Sequence, residues 1–307
     1  MTRLAVTGAG GYIGGAVVAA ATGDPGLSVR SIVREPAPWL TGEVVQVADL
    51  GVDAEGALDD IEVVLHLAGP NEVETARDPV AAIASAIGAA RSVTKAAAAA
   101  SVRRIVYVST VHVYGAALQP GAQVDEQTIP MPRHPYAIAR LACEHIIAAE
   151  AGPLEVVVLR LTNAVGPPAA SGVDRWSLVA NDLCRQAVSH DHLELRTDGQ
   201  DWRDFVALDD VSQIILAATD SDRLAAGTYN LGSGSHHTIR ELAELVIAQA
   251  GRTGLGQLEL RAPAGRTAPP EPFVVSVDKL ASQGLSATVT LDHAVAETLE
   301  FCLATKD

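Results

Sequence analysis

Thr7-Gly8-Ala9-Gly10-Gly11-Tyr12-Ile13-Gly14 follows the apolar run Leu4-Ala5-Val6 and opens an alanine-rich segment that reads as a helix to Thr22. Glycines at 8, 11 and 14 give G-x-x-G-x-x-G rather than the commoner G-x-G-x-x-G, with Ile at position 13. The physics of the two turns is the same. Glycine permits a tight turn, lets backbone approach a pyrophosphate, and allows close helix–strand packing. The first helical N–H groups, around Gly11, Tyr12, Ile13 and Gly14, then meet the phosphates with the positive end of the helix dipole. A strand–turn–helix in this form is the start of a dinucleotide-binding unit.

Working outward, strands are expected at residues 28–33, 44–47, 62–67, 104–109 and 155–161, with helices at 80–100 and 136–150. Alternating strands and helices imply a parallel sheet covered on both faces. The expected class is α/β, a Rossmann-like doubly wound parallel sheet that binds ligands at the carboxyl ends of its strands. Beyond residue 162 the pattern loosens into a loop at 163–175, helices at 176–190, 209–219 and 238–250, and a Pro-rich stretch at 262–272. The expected organisation is a dinucleotide-binding domain over 1–162, with 205–232 returning to it. Residues 163–204 and 233–307 would form a smaller C-terminal α/β substrate region.

The chain has 307 residues, 48% apolar and 19% charged, which excludes global disorder. Asp and Glu outnumber Lys and Arg by 37 to 22, a formal charge of −15 that repels phosphate backbones, so no nucleic-acid partner is expected. Cys143, Cys184 and Cys302 lack metal spacing and fit a reduced, cytoplasmic protein. His236-His237 has no further ligand spacing, so no metal is expected. The N-terminus has no signal-peptide architecture, and Arg91 and Lys95 interrupt the greasiest stretch, so no membrane partner is expected either.

The strand ends carry the candidate contacts. Arg34 closes the second strand and suits the 2′-phosphate of NADP; Glu35, one step on, could instead reach the ribose hydroxyls of NAD. Asp49-Leu50 follows the third strand, where a carboxylate could accept from an adenine amino group. Leu67-Ala68-Gly69 ends the fourth, with small residues that let the backbone pass close to a cofactor. The fifth ends in Ser109-Thr110-Val111-His112-Val113-Tyr114-Gly115, and His134-Pro135-Tyr136-Ala137-Ile138-Ala139-Arg140 follows. Tyr136 and Arg140, four apart, share one helix face. A fixed cation beside a phenol favours the phenolate, and a strand-end hydroxyl can hold a carbonyl oxygen. That makes a proton shuttle beside a nicotinamide.

Taken in order, these segments resemble the extended short-chain dehydrogenase/reductases of the NAD-dependent epimerase/dehydratase family over almost the whole chain. The likeness also includes Glu144, Leu159-Arg160-Leu161-Thr162-Asn163-Ala164-Val165-Gly166-Pro167, Trp202-Arg203-Asp204-Phe205-Val206, Asp209-Asp210-Val211 and Tyr229-Asn230-Leu231-Gly232. The resemblance implies Tyr136 as general acid/base, Thr110 as its hydroxyl partner, and Ser109, Tyr136 and Arg140 against the cofactor. It implies His112, Asn163 and Arg203 on the substrate side, Arg203 facing a substrate diphosphate, and a homodimer through the two long helices.

The departures are as informative. Arg140 stands where the family has Lys, a planar fork in place of a compact ammonium. Val111-His112 replaces the Asp-Glu of the family's dehydratases, which argues against that chemistry. The helix near Ser85 lacks the usual asparagine, and Arg261-Ala262-Pro263-Ala264-Gly265-Arg266 is a degenerate form of a late phosphate-contacting element. The expected activity is reduction of a keto-sugar nucleotide or similar oxygenated metabolite by NADP(H). The alternatives are an NAD-dependent sugar-nucleotide epimerase and a catalytically weak dinucleotide-binding sensor.

Overall fold

The computed structural model describes residues 1–100 and 102–306. Its centre is one parallel sheet of seven strands: β1 Thr2–Thr7, β2 Leu27–Val33, β3 Glu43–Gln46, β4 Val63–His66, β5 Arg104–Thr110, β6 Glu155–Leu161 and β7 Gly227–Leu231. The spatial order is β7-β6-β5-β4-β1-β2-β3, with the chain reversing direction of travel at β1 and β4. That is the expected Rossmann-like arrangement, with its switch point between β1 and β4. Thr7 pairs across to His66, and His66 to Tyr107, so the carboxyl ends of these strands come level.

The alternation of side chains explains why both faces must be covered. Leu4, Val6, Val63, Leu65, Val106, Val108, Val157 and Leu159 point to one face. There they bury against Val17 and Val18 of α1 (Tyr12–Ala21) and Val211, Ile214 and Ile215 of the helix Leu208–Ala218. Ala5, Val64, Ile105, Tyr107 and Val158 point to the other. They meet α3 (Pro79–Ala99) and α4 (Pro135–Glu150), preceded by the short α2 (Glu72–Arg77). Alanines at 86, 90 and 97 of α3 let it lie close to the sheet. Pro at the first position and a side-chain cap start both long helices: Asp78 accepts from Ala81 N–H at 3.1 Å, and His134 Nδ1 accepts from Ala137 N–H at 3.3 Å.

Residues 163–165, read as loop from their composition, form a short strand paired in parallel with 205–207. Beyond it, helices Val179–Ser189, Ile239–Arg252 and Leu291–Ala304 enclose a separate apolar core around Leu183, Leu242, Val246, Val295 and Leu299. Among the described residues, no helix is long and apolar enough to cross a membrane, and no group of three or more His, Cys, Asp or Glu could hold a metal ion. The three cysteines are buried and free.

Candidate active site

A cleft of about 320 Å³ lies across the carboxyl ends of β1, β4 and β5. Its floor at one end is the glycine turn. Gly8 has φ +72°, and a Cβ there would stand 2.9 Å from the backbone nitrogen of Ala68. A Cβ on Gly14 would collide with the carbonyl oxygen of Gly8. The glycines therefore do two jobs, closing the turn against the β4 end and seating α1 on it. Gly11 caps α1 with no side chain, leaving the first N–H groups facing the cleft.

Thr7 locks the turn to β4. Its Oγ1 accepts from the N–H groups of Leu67 and Ala68, both at 3.2 Å, so its own hydrogen goes to His66 Nδ1 at 2.8 Å. His66 must then carry its proton on Nε2. Burial, with Arg140 nearby, pushes its pKa down to about 3, so it is a neutral structural ring. Tyr12 lines the cleft, but its hydroxyl donates to the Gly166 carbonyl at 2.8 Å and ties α1 to the far wall.

At the other end stand Tyr136 and Arg140, both on α4 and both lining the cleft with Ser109, Thr110 and His112. The Arg140 guanidinium lies 5.1 Å from the centre of the Tyr136 ring, and Nη1 reaches the Tyr107 hydroxyl at 3.5 Å. Burial works to lower the pKa of Arg140, but the two phenols outweigh it and hold it above the ordinary range. The cation beside Tyr136 is thus permanent. Thr110 Oγ1 accepts from His112 N–H at 3.2 Å, which leaves its hydrogen free to donate. Ser109 is different: its hydroxyl donates to Glu144.

The cleft continues past His112, Thr162 and Asn163 into a second cavity of about 160 Å³ bounded by Arg203, Asp204, Leu118, Phe273 and Val275. Burial, then His134 and Arg203, push the His112 pKa down to about 4, against the pull of Glu72. Asn163 donates its side-chain N–H to the Asp204 carbonyl at 2.8 Å, leaving its oxygen uncommitted. The Asp204 carboxylate accepts from Thr162 Oγ1 and from the N–H groups of Ser233 and Gly234 at 2.8–3.0 Å, so it is the joint that fixes this wall. Arg203 turns Nη1 to the Trp202 carbonyl at 2.7 Å.

The structure therefore brings Gly8, Gly11, Tyr12, Ile13, Gly14, Leu67, Gly69, Ser109, Thr110, His112, Tyr136, Arg140 and Asn163 to one cleft, with Arg203 at its far end. It leaves Arg34, Asp49, Leu50 and Ala68 off the lining. Arg34 is 70% exposed beside Glu35 and Glu74, at 3.7 and 3.9 Å. Asp49, exposed, accepts from Gly51 N–H at 2.7 Å within its own loop. Leu50 packs on the core beneath α3, and Ala68 contributes backbone alone. Of the late arginines, Arg266 is forked onto Asp198 and Asp201 and Arg261 pairs with Glu259, so neither is free for phosphate in this arrangement.

Residues 4–232 match the model of the NAD dependent epimerase/dehydratase family. The chain belongs to that family. It is similar to dTDP-6-deoxy-L-talose 4-dehydrogenase (NAD(P)(+)) of Kitasatospora kifunensis, 34% identical over 267 residues that cover 81% of this chain and 79% of that protein. It is 31% identical to GDP-6-deoxy-D-mannose reductase of Pseudomonas aeruginosa over 80% of each chain. The fold is shared with UDP-glucose 4-epimerase from Thermus thermophilus in complex with NAD, at a TM-score of 0.83 and 24% identity over 99% of this chain and 100% of that one. This family member is an NAD(P)-dependent enzyme of the extended short-chain dehydrogenase/reductase type, among relatives that act as sugar-nucleotide epimerases, dehydratases and reductases.

Behind Tyr136 runs a buried polar chain whose roles the spacing of motifs left unassigned. Arg160 is forked onto Glu144 with Nη2 at 2.7 Å, and each side chain is 7% exposed. Arg160 Nη1 donates to the Tyr114 hydroxyl at 3.1 Å, which donates to Asn230 Oδ1 at 2.7 Å. The chain staples β5, α4, β6 and β7 together under Ser109. The sequence signal was available: Arg160 interrupts the apolar run of a central strand, and a charge there must be paired.

Proposed function

We propose that the protein reduces the carbonyl of a 4-keto-deoxysugar nucleotide with NADP(H). The observation that carries this reading is the Tyr136–Arg140 pair lining one cleft with Thr110 and the glycine turn, next to a second cavity that shares His112, Thr162 and Asn163 with it and is bounded by Arg203. Tyr12, Ile13 and Gly14 present N–H groups to the dinucleotide's phosphates, Gly11 N–H being used at 2.9 Å on the Gly8 carbonyl to close the turn, and the nicotinamide supplies a hydride when bound. Thr110 donates its free hydrogen to the substrate carbonyl oxygen. As that oxygen takes up charge, Tyr136 passes it the phenolic proton, and the adjacent Arg140 cation stabilises the phenolate left behind. Carbonyl, hydride and proton sum to the alcohol. Arg203 answers the substrate diphosphate and Asn163 the sugar. The names of the relatives, a 4-dehydrogenase and a reductase of 6-deoxyhexose nucleotides, support the substrate class.

Arg34 supports NADP. Its ion pairs are long and solvent-screened, worth little in themselves, so the guanidinium is available to a 2′-phosphate. An Arg34→Ser variant is expected to lose roughly 10-fold or more of its preference for NADPH over NADH, read from initial rates with each cofactor. A preference unchanged by the substitution would remove this support.

The epimerase reading has one feature of its own: Glu35 beside Arg34, an acid placed for ribose hydroxyls. The decisive assay is NADPH consumption with a panel of 4-keto-6-deoxyhexose nucleotides, alongside identification of nucleotide released from purified protein. Turnover-linked consumption supports reduction; tightly held NAD with sugar interconversion and no net consumption supports epimerisation. We further propose a homodimer packed through α3 and α4, which sedimentation would test.

A further inference from the structure

Arg175 stands in the segment between Gly166 and the helix Val179–Ser189, on the same cleft as Gly11, Tyr12 and Ile13. Its charge bears on Tyr12, the first residue of α1. Nη2 binds Glu72 Oε2 at 2.7 Å, joining this wall to α2 on the opposite side. Nη1 is buried and has no hydrogen-bond partner. A buried guanidinium N–H without an acceptor is costly, and few such groups persist without a function.

The charge balance of the cleft says what the acceptor is. A dinucleotide diphosphate brings two negative charges, whereas a helix N-terminus offers only about half a positive charge. The glycine turn contributes no Lys or Arg. Among the described residues lining the 320 Å³ cleft itself, the permanent cations are Arg140 and Arg175, Arg203 lying in the adjoining cavity, and Arg140 is committed to Tyr136 and Tyr107. Arg175 is the cation on the α1 side. A carboxylate and a phosphate offer a guanidinium the same pair of oxygens, so Glu72 holds the place a phosphate would take. Burial works to raise the Glu72 pKa, but Arg175 outweighs it and keeps the carboxylate ionised.

We propose that Arg175 clamps the dinucleotide diphosphate, and that Glu72 competes with the diphosphate for the same guanidinium. The proposal rests on the family's use of a dinucleotide and not on the choice between reduction and epimerisation. Its test is therefore equilibrium binding without sugar substrate: calorimetric titration of NADP⁺, NAD⁺, ADP, adenosine and dTDP into wild type, Arg175→Met, Arg175→Lys and Glu72→Gln, with melting curves for each. Arg175→Met is expected to weaken the dinucleotides and ADP about 10-fold or more and to spare adenosine, with Arg175→Lys between. Glu72→Gln is expected to tighten dinucleotides and ADP a few-fold, because removing a competitor raises the fraction of binding-competent protein. The opposite signs are the signature. If both substitutions weaken binding alike, or neither changes it, the ion pair is a structural strut and the proposal fails. If Arg175→Met weakens dTDP but not NADP⁺, the phosphate it serves is the substrate's and the proposal also fails. Should Arg175→Met not fold, the sign of the Glu72→Gln change decides.

Discussion

At the dinucleotide end of the cleft the chain presents backbone: Gly8 against Ala68, Gly14 against Gly8, and the bare N–H groups of α1. At the end proposed for the sugar it presents side chains drawn from widely separated segments, His112, Asn163, Arg203 and Phe273, beside a wall where the buried carboxylate of Asp204 ties Thr162 to Ser233 and Gly234. Backbone recognition tolerates little, because a single added carbon has nowhere to go. Side-chain recognition can be retuned one residue at a time. Between the two lies the Tyr136–Arg140 pair, mounted on α4 and braced by Glu144 and Arg160.

Substitutions can break this contrast or sharpen it. The largest effect on stability is expected at the brace. Glu144→Gln leaves the Arg160 charge buried and uncompensated, and is expected to cost about 3–5 kcal/mol in denaturant unfolding. A loss under about 1 kcal/mol would mean that the network is not what holds α4 to the sheet. Gly14→Ala comes next. Its Cβ would press into the Gly8 backbone, so strand and helix must part, at about 1–3 kcal/mol of stability, with dinucleotide affinity down roughly 100-fold. The smallest effect belongs to the sugar end. Arg203→Met is expected to raise KM for the sugar nucleotide about 10-fold with kcat unchanged, the mark of binding lost equally from ground and transition states. A fall in kcat instead would move Arg203 into the chemistry.

The same contrast explains what could be read from the sequence. A backbone-built turn is written locally, in glycine spacing and a strand–helix junction, so the seven-stranded fold and the glycine turn at its cleft were legible from Thr7–Gly14 outward. The helix Leu208–Ala218 matches the segment 209–219 read as helical, whereas the edge strand Gly227–Leu231 was signalled through the resemblance of Tyr229-Asn230-Leu231-Gly232. The end proposed for the sugar depends on the meeting of distant segments, such as the hydrogen bond of Asn163 to Asp204 and the cavity that His112 and Phe273 line together, which no local pattern encodes. Residues 163–165 read as loop because Pro and Gly follow at once, yet they find a partner in 205–207. The cofactor readings of Arg34 and Asp49 rest on position: the first is a solvent-facing arm open to a 2′-phosphate, and the second accepts from Gly51 N–H within its own loop. Ser109 sits where expected, with its hydroxyl turned to Glu144.

The central claim is that the Tyr136 phenol, beside the fixed Arg140 cation, moves the proton that accompanies hydride transfer. Single-turnover measurement of NADPH oxidation by a Tyr136→Phe variant, paired with its dinucleotide Kd, tests this most directly. The account expects the hydride-transfer rate to fall roughly 1,000-fold while Kd stays at the wild-type value. Hydride transfer at the wild-type rate in the variant, with dinucleotide still bound, would contradict it.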